Sequence, residues 1–288
     1  MTFIENFMTY DMFKKEIYPS LNKLLLRSPE TVLNALNSIA KYAPFDMMPL
    51  LSEKSFFDNA LSNAYSTNEN TKRNAQSMFK TILSKSTSND EASISKIVKA
   101  LMKLPAGKNT PEAKQFAYST CTFFNALPLN VIKDTINQLI TLSGRESNET
   151  TIKSINDNIA YLLSIMSEDK VNQEIINTVM QYLTTRLSKA NKSAIRLAHL
   201  SGIKNCLNEK SFNLISENNK GLLDLVKTLL NTIKKVQTAG IGMLNTNSVK
   251  DVPSSAEGYY SIEWLQNYSK WESENQKSVV GKYIYIFY

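Results

Sequence analysis

Few residues in this chain are of the types that carry out chemistry, and their spacing keeps them apart. The 288 residues include one histidine, His199, and two cysteines, Cys121 and Cys206. His199 shares a helical spacing with Ile195, Gly202 and Cys206, which predicts a packed side chain on a helix face rather than a catalyst. One histidine and two distant cysteines cannot assemble a His-based triad or a Cys/His metal cluster. We therefore expect no catalytic residue and no metal ligand.

Phosphate-binding motifs and acidic catalytic sites are not indicated either. The pairs Gly107-Lys108 and Gly281-Lys282 lack the upstream glycine and the following Ser or Thr of a phosphate loop. The carboxylates fall on predicted helix faces and corners, where capping and solvation account for them. This pattern favours a non-enzymatic protein that needs no cofactor.

Basic residues are the remaining candidates for a binding function. Lys and Arg number 33 against 26 Asp and Glu, and the formal net charge of +7 mildly favours an acidic partner such as RNA. Several of these cations lie near predicted helix starts, corners or polar faces, where they are either solvated or bonded to carboxylates of a neighbouring repeat. The alternative is an intermittent basic strip that contacts phosphates, without interleaved aromatic residues for base stacking. The candidate phosphate contacts are Lys14, Lys15, Lys72, Arg73, Lys189, Lys192, Arg196, Lys234 and Lys235.

The elements that must position these cations are amphipathic helices. Before Ser28, apolar residues recur at helical spacing with Pro19 inside the pattern, which predicts a kinked helix. A second helix is then predicted, because Ser28 can cap free N–H groups, Pro29 suits the first position and Glu30 faces the positive end of the dipole. The predicted stripes are Phe13, Ile17, Leu21, Leu24 and Leu25 on the first helix, and Val32, Ala35, Leu36, Ile39 and Ala40 on the second.

The same helix–corner–helix pattern recurs along the chain. Second helices are predicted to begin near residues 28, 70, 110, 147 and 190. Intervals of roughly 40 residues lie in the range of HEAT and armadillo repeats. Two helices per unit, and a proline inside the first one, favour HEAT. We therefore predict an all-α fold, a HEAT-repeat α-solenoid whose helical hairpins stack in a right-handed superhelix. The alternative is a non-repetitive helical domain.

The pattern divides the chain into three segments. Residues 1–208 are predicted to hold five HEAT-like helix pairs, and residues 209–272 to continue the solenoid irregularly as a long helix, a loop and a helix. Residues 273–288 read as a β-like aromatic tail outside the repeat, and we expect a fragment or a truncated gene product. No signal peptide, no apolar run that could span a membrane and no disulfide pattern is present, which favours a cytoplasmic protein.

Several segments, in their order and spacing, carry a resemblance to a known family. The most distinctive are LLRSPE at 25–30 and EGY at 257–259. The others lie within FKKEIYPSLNKLLLRSPETVL (13–33), TKRNAQSMFKTIL (71–83), LPAGKNTPEAKQFAYSTCTFFNALP (104–128), ESNETTIKSINDNIAYLL (146–163), KSAIRLAHLSGIKNCL (192–207) and SSAEGYYSIEWL (254–265). Over about residues 10–265 the chain resembles the N-terminal arm of the general-control translational activators, in a fungal version. The family often carries Trp near the position of His199, which implies a substituted core aromatic there.

The resemblance implies an interaction role. Members of this family are very large HEAT-repeat scaffolds that ride on ribosomes and activate the kinase of initiation factor 2 alpha in amino-acid starvation, with an ABC-type ATPase partner. The N-terminal arm is associated with ribosome contact, so ribosomal RNA or ribosomal proteins are the expected partners, and a membrane is not. Two other interpretations stay open, namely a generic HEAT adaptor, similar to a transport receptor, that binds protein partners, and an inert structural spacer.

Overall fold

All of the regular secondary structure in the described part of the chain is helical. The computed structural model describes residues 2–166 and 173–207, together with Lys227 and Asn231. The helices fall into two compact units, Met1–Val171 and Asn172–Tyr288. The first unit contains α1 (Thr2–Phe7), α2 (Tyr10–Met12), α3 (Tyr18–Leu25), α4 (Pro29–Tyr42), α5 (Lys54–Ala64), α6 (Glu69–Ser84), α7 (Glu91–Leu101), α8 (Pro111–Ser119), α9 (Leu129–Ser143) and α10 (Glu149–Ser164). The second contains α11 (Gln173–Lys189) and α12 (Ser193–Cys206).

The helices of the first unit form stacked hairpins. Helix α3 packs on α4, α5 on α6, and α9 on α10, while α7 packs on the 3-10 turn Thr120–Phe123 that follows α8. Between hairpins, α4 packs against α6, α7 against α9 and α8 against α10. Apolar side chains from successive hairpins, such as Leu33, Phe79 and Ile155, are fully buried. This nearest-neighbour packing is that of an α-solenoid, so the predicted all-α solenoid is confirmed.

The first helix of the chain is interrupted in a way that the apolar pattern did not reveal. Phe13–Ile17 is a π-helical turn, and Pro19 lies in the first turn of α3 directly after it. A π turn contains an extra residue, so the helix face rotates at this point. As a result Tyr18 is buried, whereas Leu24, predicted to lie in the core, is 46% exposed. The interruption predicted at Pro19 is therefore present, but the predicted stripe is wrong at Leu24.

The start of α4 differs from the prediction in one detail. Pro29 occupies the first turn and Glu30 is the acidic residue there, as expected. Ser28 is the N-cap residue by position, but its side chain makes no capping hydrogen bond. Asparagine performs that role at two later corners, where Asn68 Oδ1 accepts from Thr71 N at 2.9 Å and Asn148 Oδ1 accepts from Thr151 N at 2.9 Å.

The second helix of the third hairpin is short. Helix α8 contains Phe116 and Tyr118 but ends at Ser119, and a 3-10 turn that contains Phe123 follows. The hydroxyls of Thr120 and Thr122 donate to backbone carbonyls three residues earlier, both at 2.7 Å. Such side-chain bonds compete with the helical ladder and tighten the last turn.

The second and third hairpins each also cap the end of the hairpin before them. Lys85 Nζ donates to the carbonyls of Ala40, Lys41 and Ala43 at 3.1, 2.8 and 3.2 Å, at the C-terminus of α4. One repeat later, Asn125 Nδ2 donates to the carbonyl of Ser84 at 2.7 Å, at the end of α6. A cation at a helix C-terminus also interacts favourably with the dipole. These bonds fix the offset between successive hairpins.

The remaining predictions about segments lie partly outside the described residues. The structure shows helix pairs up to α12, but the segments 209–272 and 273–288 are not described apart from Lys227 and Asn231. Among the helices of residues 2–166 and 173–207, not one combines the length and apolar character that a bilayer crossing requires.

Removal of the Lys85 amine should weaken the contact between the first two hairpins. We expect Lys85→Met to lower the free energy of unfolding by about 1 kcal/mol, because three helix-terminal carbonyls lose a charged donor. The measurement is urea unfolding followed by circular dichroism. Lys96→Met on α7 is the matched control, since Lys96 is exposed and should change stability by less than about 0.5 kcal/mol. Equal midpoints for the two variants would contradict the capping role.

Candidate binding surface

The two predicted cations of the N-terminal helix have different environments. Lys14 forms an ion pair with Glu53, and its Nζ lies 4.0 Å from the centroid of the Tyr18 ring. The Tyr18 hydroxyl donates to the same Glu53 carboxylate at 2.8 Å. Lys15 is exposed. Lys14 therefore holds the first two hairpins together, and Lys15 is the residue of this pair that is open to a partner.

Lys72 and Arg73 lie on the first turns of α6, as the sequence predicts. Lys72 Nζ lies 2.6 Å from Glu69 Oε1, and Arg73 Nη2 donates to Asn70 Oδ1 at 2.6 Å. Glu69 is mostly exposed, so this ion pair is a surface pair of small energy and can be exchanged for an external anion. Both cations are thus available for binding.

In the second unit, the predicted cations surround the corner between α11 and α12. Lys189 and Lys192 are exposed. Arg196 is partly buried, and its Nη1 donates to the carbonyl of Ala190 at 3.4 Å. Its Nε is buried and has no hydrogen-bond partner in the part of the chain that the structure describes. Arg196 therefore supports the corner, whereas Lys189 and Lys192 face solvent. Lys234 and Lys235 lie outside the described residues.

A groove in the first unit brings predicted and unpredicted residues together. The groove has a volume of about 980 Å³ and lies between α6 and α8. Lys72 and Arg73 line it together with Lys80, further along α6, and Lys108, from the corner before α8. Lys80 is not among the contacts that the sequence predicts, and Lys108 enters there only as part of an incomplete phosphate-loop motif. The four cations face two carboxylates, from Glu69 and Glu112.

A sequence signal for Lys80 did exist. Lys72, Gln76 and Lys80 are spaced by four residues, which places them on one face of a helix, and all three line the groove. For Lys108 no such signal exists, because it lies in an irregular corner next to Gly107, whose φ of +76° is a left-handed conformation that favours glycine. Only the fold brings this corner to α6.

A neighbouring lysine, Lys114, is held in a largely buried ion pair and is not open to a partner. Lys114 Nζ lies 2.8 Å from Glu146 Oε1, and both side chains are largely buried. Glu146 also contributes to the raised pKa of Tyr118, although burial of the phenol is the larger cause. Because breaking one side of a buried ion pair is strongly destabilising, Lys114 is a structural residue of the third and fourth hairpins.

The residues of reactive type are buried. Cys121 is fully buried, and loss of hydration raises the pKa of its thiol to about 12, so the thiolate is not formed near neutral pH. His199 is 2% exposed, and its ring lies 6.1 Å from that of Tyr182 in an edge-to-face arrangement. Among the described residues, no group of three or more His, Cys, Asp or Glu side chains could hold a metal ion.

Burial of His199 should make stability depend on pH. Burial chiefly, and Arg186 secondarily, lower the pKa of His199 to about 4 from 6.5. Between these values the unfolded chain binds a proton that the folded chain does not, so the free energy of unfolding should fall as the pH is lowered through this window. The expected loss is up to about 3 kcal/mol.

Carboxylates titrate in the same range, so the comparison is with His199→Phe, measured by urea unfolding between pH 4 and pH 7. The variant keeps an aromatic ring at this position and removes one titrating group. We expect a shallower dependence of its stability on pH. Parallel curves for the two proteins would show that the fold does not depend on a neutral His199.

Comparison with known proteins bears on the first part of the chain. Residues 1–112 match a family described as the stalled ribosome sensor GCN1 N-terminal domain. No curated protein matches the chain.

Similar solved structures include an engineered protein that is 15% identical, with a TM-score of 0.41 over 86% of this chain and 96% of that one. Another is a designed armadillo repeat protein that is 17% identical, with a TM-score of 0.40 over 76% of this chain and 91% of that one. These structural similarities are weak, and the architecture rests on the helix packing itself.

The resemblance to the general-control translational activators is confirmed over residues 1–112, which match the N-terminal domain of that family.

Proposed function

We propose that this chain is a non-enzymatic scaffold segment of translational control that associates with ribosomes in the cytoplasm. The observation that carries the proposal is the match of residues 1–112 to a family described as a stalled ribosome sensor. The excess of positive charge supports it, because ribosomal RNA presents a dense array of phosphates. A stacked-hairpin architecture also supports it, since solenoids present extended surfaces to large partners.

The contacts that we propose are the cations of the predicted set that solvent can reach. These are the exposed Lys15 and Arg73 and the partly exposed Lys72 in the first unit, and the exposed Lys189 and Lys192 in the second. Lys14 and Arg196 are excluded as primary contacts because Glu53 and the carbonyl of Ala190 already engage them. Binding through such residues is electrostatic, so it should weaken as salt is raised.

A finer role follows from the resemblance of the sequence alone. We propose that the segment supports activation of the initiation-factor-2-alpha kinase in amino-acid starvation, as part of an assembly with an ABC-type ATPase partner. Its own contribution is to hold the assembly on the ribosome. A generic HEAT adaptor remains the second candidate, and the apolar floor of the α6–α8 groove favours it.

Co-sedimentation with purified ribosomes tests the ribosome proposal. The full chain should pellet with ribosomes at low salt and be released as salt rises. The charge-reversed variant Lys72→Glu/Arg73→Glu/Lys189→Glu/Lys192→Glu should bind at least about tenfold more weakly, because several phosphate contacts become repulsive. Circular dichroism should show that the variant remains folded, since these side chains are not part of the core.

Lys23→Glu/Lys54→Glu/Lys96→Glu/Lys103→Glu, which also reverses four charges, provides the matched control. These lysines are exposed and lie outside the proposed contacts, so the variant should keep most of the binding. If the chain failed to pellet with ribosomes at any salt concentration, or if both variants lost binding equally, specific contact through the proposed residues would be refuted.

A further inference from the structure

The groove between α6 and α8 exists because the third hairpin interrupts the stacking of second helices. Helix α6 packs along α4, and α8 packs against α10, but the element of the third hairpin against which α6 packs is the 3-10 turn Thr120–Phe123. The early end of α8 at Ser119 places this turn, rather than a continued helix, beside α6. The space left between the two helices is a groove of about 980 Å³.

The floor of the groove is aromatic. The rings of Tyr65 and Phe116 meet edge to face with centroids 5.5 Å apart, and Phe116 lies 6.1 Å from Phe123. Phe123 is partly exposed, so apolar surface remains accessible in the groove. The Tyr65 hydroxyl is buried without a hydrogen-bond partner among the described residues, and burial raises the pKa of its phenol. An apolar side chain of a partner that covers Phe123 would remove this apolar surface from water, which favours binding.

The rim of the groove is basic, and part of its charge is not neutralised. Lys72 is paired with Glu69, whereas Lys80 and Lys108 have no ion pair among the described residues. Lys114, just outside the groove, differs from these two lysines because it forms a largely buried ion pair with Glu146. The amide of Gln115, also in the lining, offers a donor and an acceptor to a polar backbone.

We propose that this groove binds an extended acidic peptide segment that contains an apolar side chain. The acidic side chains would pair with Lys80 and Lys108, the apolar side chain would cover Phe123, and the peptide backbone would bond to Gln115. Single-stranded RNA fits less well, because Phe123 alone of the three floor rings is partly exposed, whereas Tyr65 and Phe116 are more than nine-tenths buried and contact each other edge to face, so the groove offers no series of free ring faces on which successive bases could stack. The proposal does not depend on ribosome association, since the site would bind a free peptide.

Fluorescence anisotropy on the full chain tests this proposal. The probe is a short fluorescein-labelled peptide in which Asp and Leu alternate, with a Ser-for-Leu peptide, a Lys-for-Asp peptide and fluorescein-labelled oligouridine as comparisons. We expect the Asp/Leu peptide to bind at least about tenfold more tightly than each of the three. It alone has both carboxylates for the basic rim and apolar side chains for the aromatic floor.

Two variants locate the binding in the groove. Lys80→Glu/Lys108→Glu should weaken binding of the Asp/Leu peptide at least about tenfold, while Lys23→Glu/Lys96→Glu, which reverses the same charge on exposed lysines elsewhere, should leave it within about twofold. Phe123→Ser should weaken the Asp/Leu peptide and leave the weak binding of the Ser-for-Leu peptide unchanged.

Several results would overturn the proposal. These are no detectable binding of the Asp/Leu peptide, equal losses in the two charge-reversed variants, or oligouridine binding at least as tightly as the peptide and with the same dependence on Lys80 and Lys108. The last result would assign the groove to RNA. Circular dichroism of each variant separates a lost fold from a lost site, and Gln115→Ala then tests the groove a second time without altering its charge or its apolar floor.

Discussion

Burial of the second-helix faces against one another is the interaction on which the first unit depends. No single amphipathic hairpin can remove its apolar stripe from water, so each one relies on its neighbour for most of its stability. The α4–α6 contact shows how this apolar packing is given a fixed register. Asn37 donates to the Ser77 hydroxyl at 3.1 Å and accepts from Thr81 at 2.7 Å, and Lys85 closes the end of α4. Apolar area supplies the driving force, and these polar contacts determine how far one helix is offset along the other.

The same constraint explains where a binding site can form. Stacked second helices leave no room between them, so a groove requires a break in the stacking. In the third hairpin the threonine hydroxyls of Thr120 and Thr122 end α8 early, and a 3-10 turn replaces the helix beside α6. The local loss of helix is compensated by aromatic packing among Tyr65, Phe116 and Phe123. The groove and its partly exposed Phe123 are present because a 3-10 turn with aromatic packing replaces the continued helix.

Pairing, rather than the presence of a cation, decides which basic residues can act on a partner. Lys14, Lys114 and Arg196 are engaged with Glu53, Glu146 and a backbone carbonyl, and their role is to hold corners and hairpins in place. Lys80 and Lys108 have no ion pair in the described part of the chain and line one groove. Each ion pair removes one positive and one negative charge, so pairing leaves the net charge of +7 unchanged and determines only which cations stay open to a partner.

The sequence by itself determined the fold class, because an apolar repeat of 3.6 residues and a recurrence near 40 residues leave few other ways to bury the stripes. It also determined the family resemblance and the packed position of His199, which lies in an apolar helical pattern. The tertiary structure alone decided that Tyr18 rather than Leu24 faces the core, since a π turn shifts the register without altering composition. The tertiary structure alone places Lys108 and Lys80 along one groove, and it alone pairs Lys14 and Lys114 with carboxylates. The placement of Lys108 and the pairing of Lys14 and Lys114 depend on residues about 30 to 40 positions apart, and a spacing pattern within one helix contains no information about which residue of the next hairpin lies opposite.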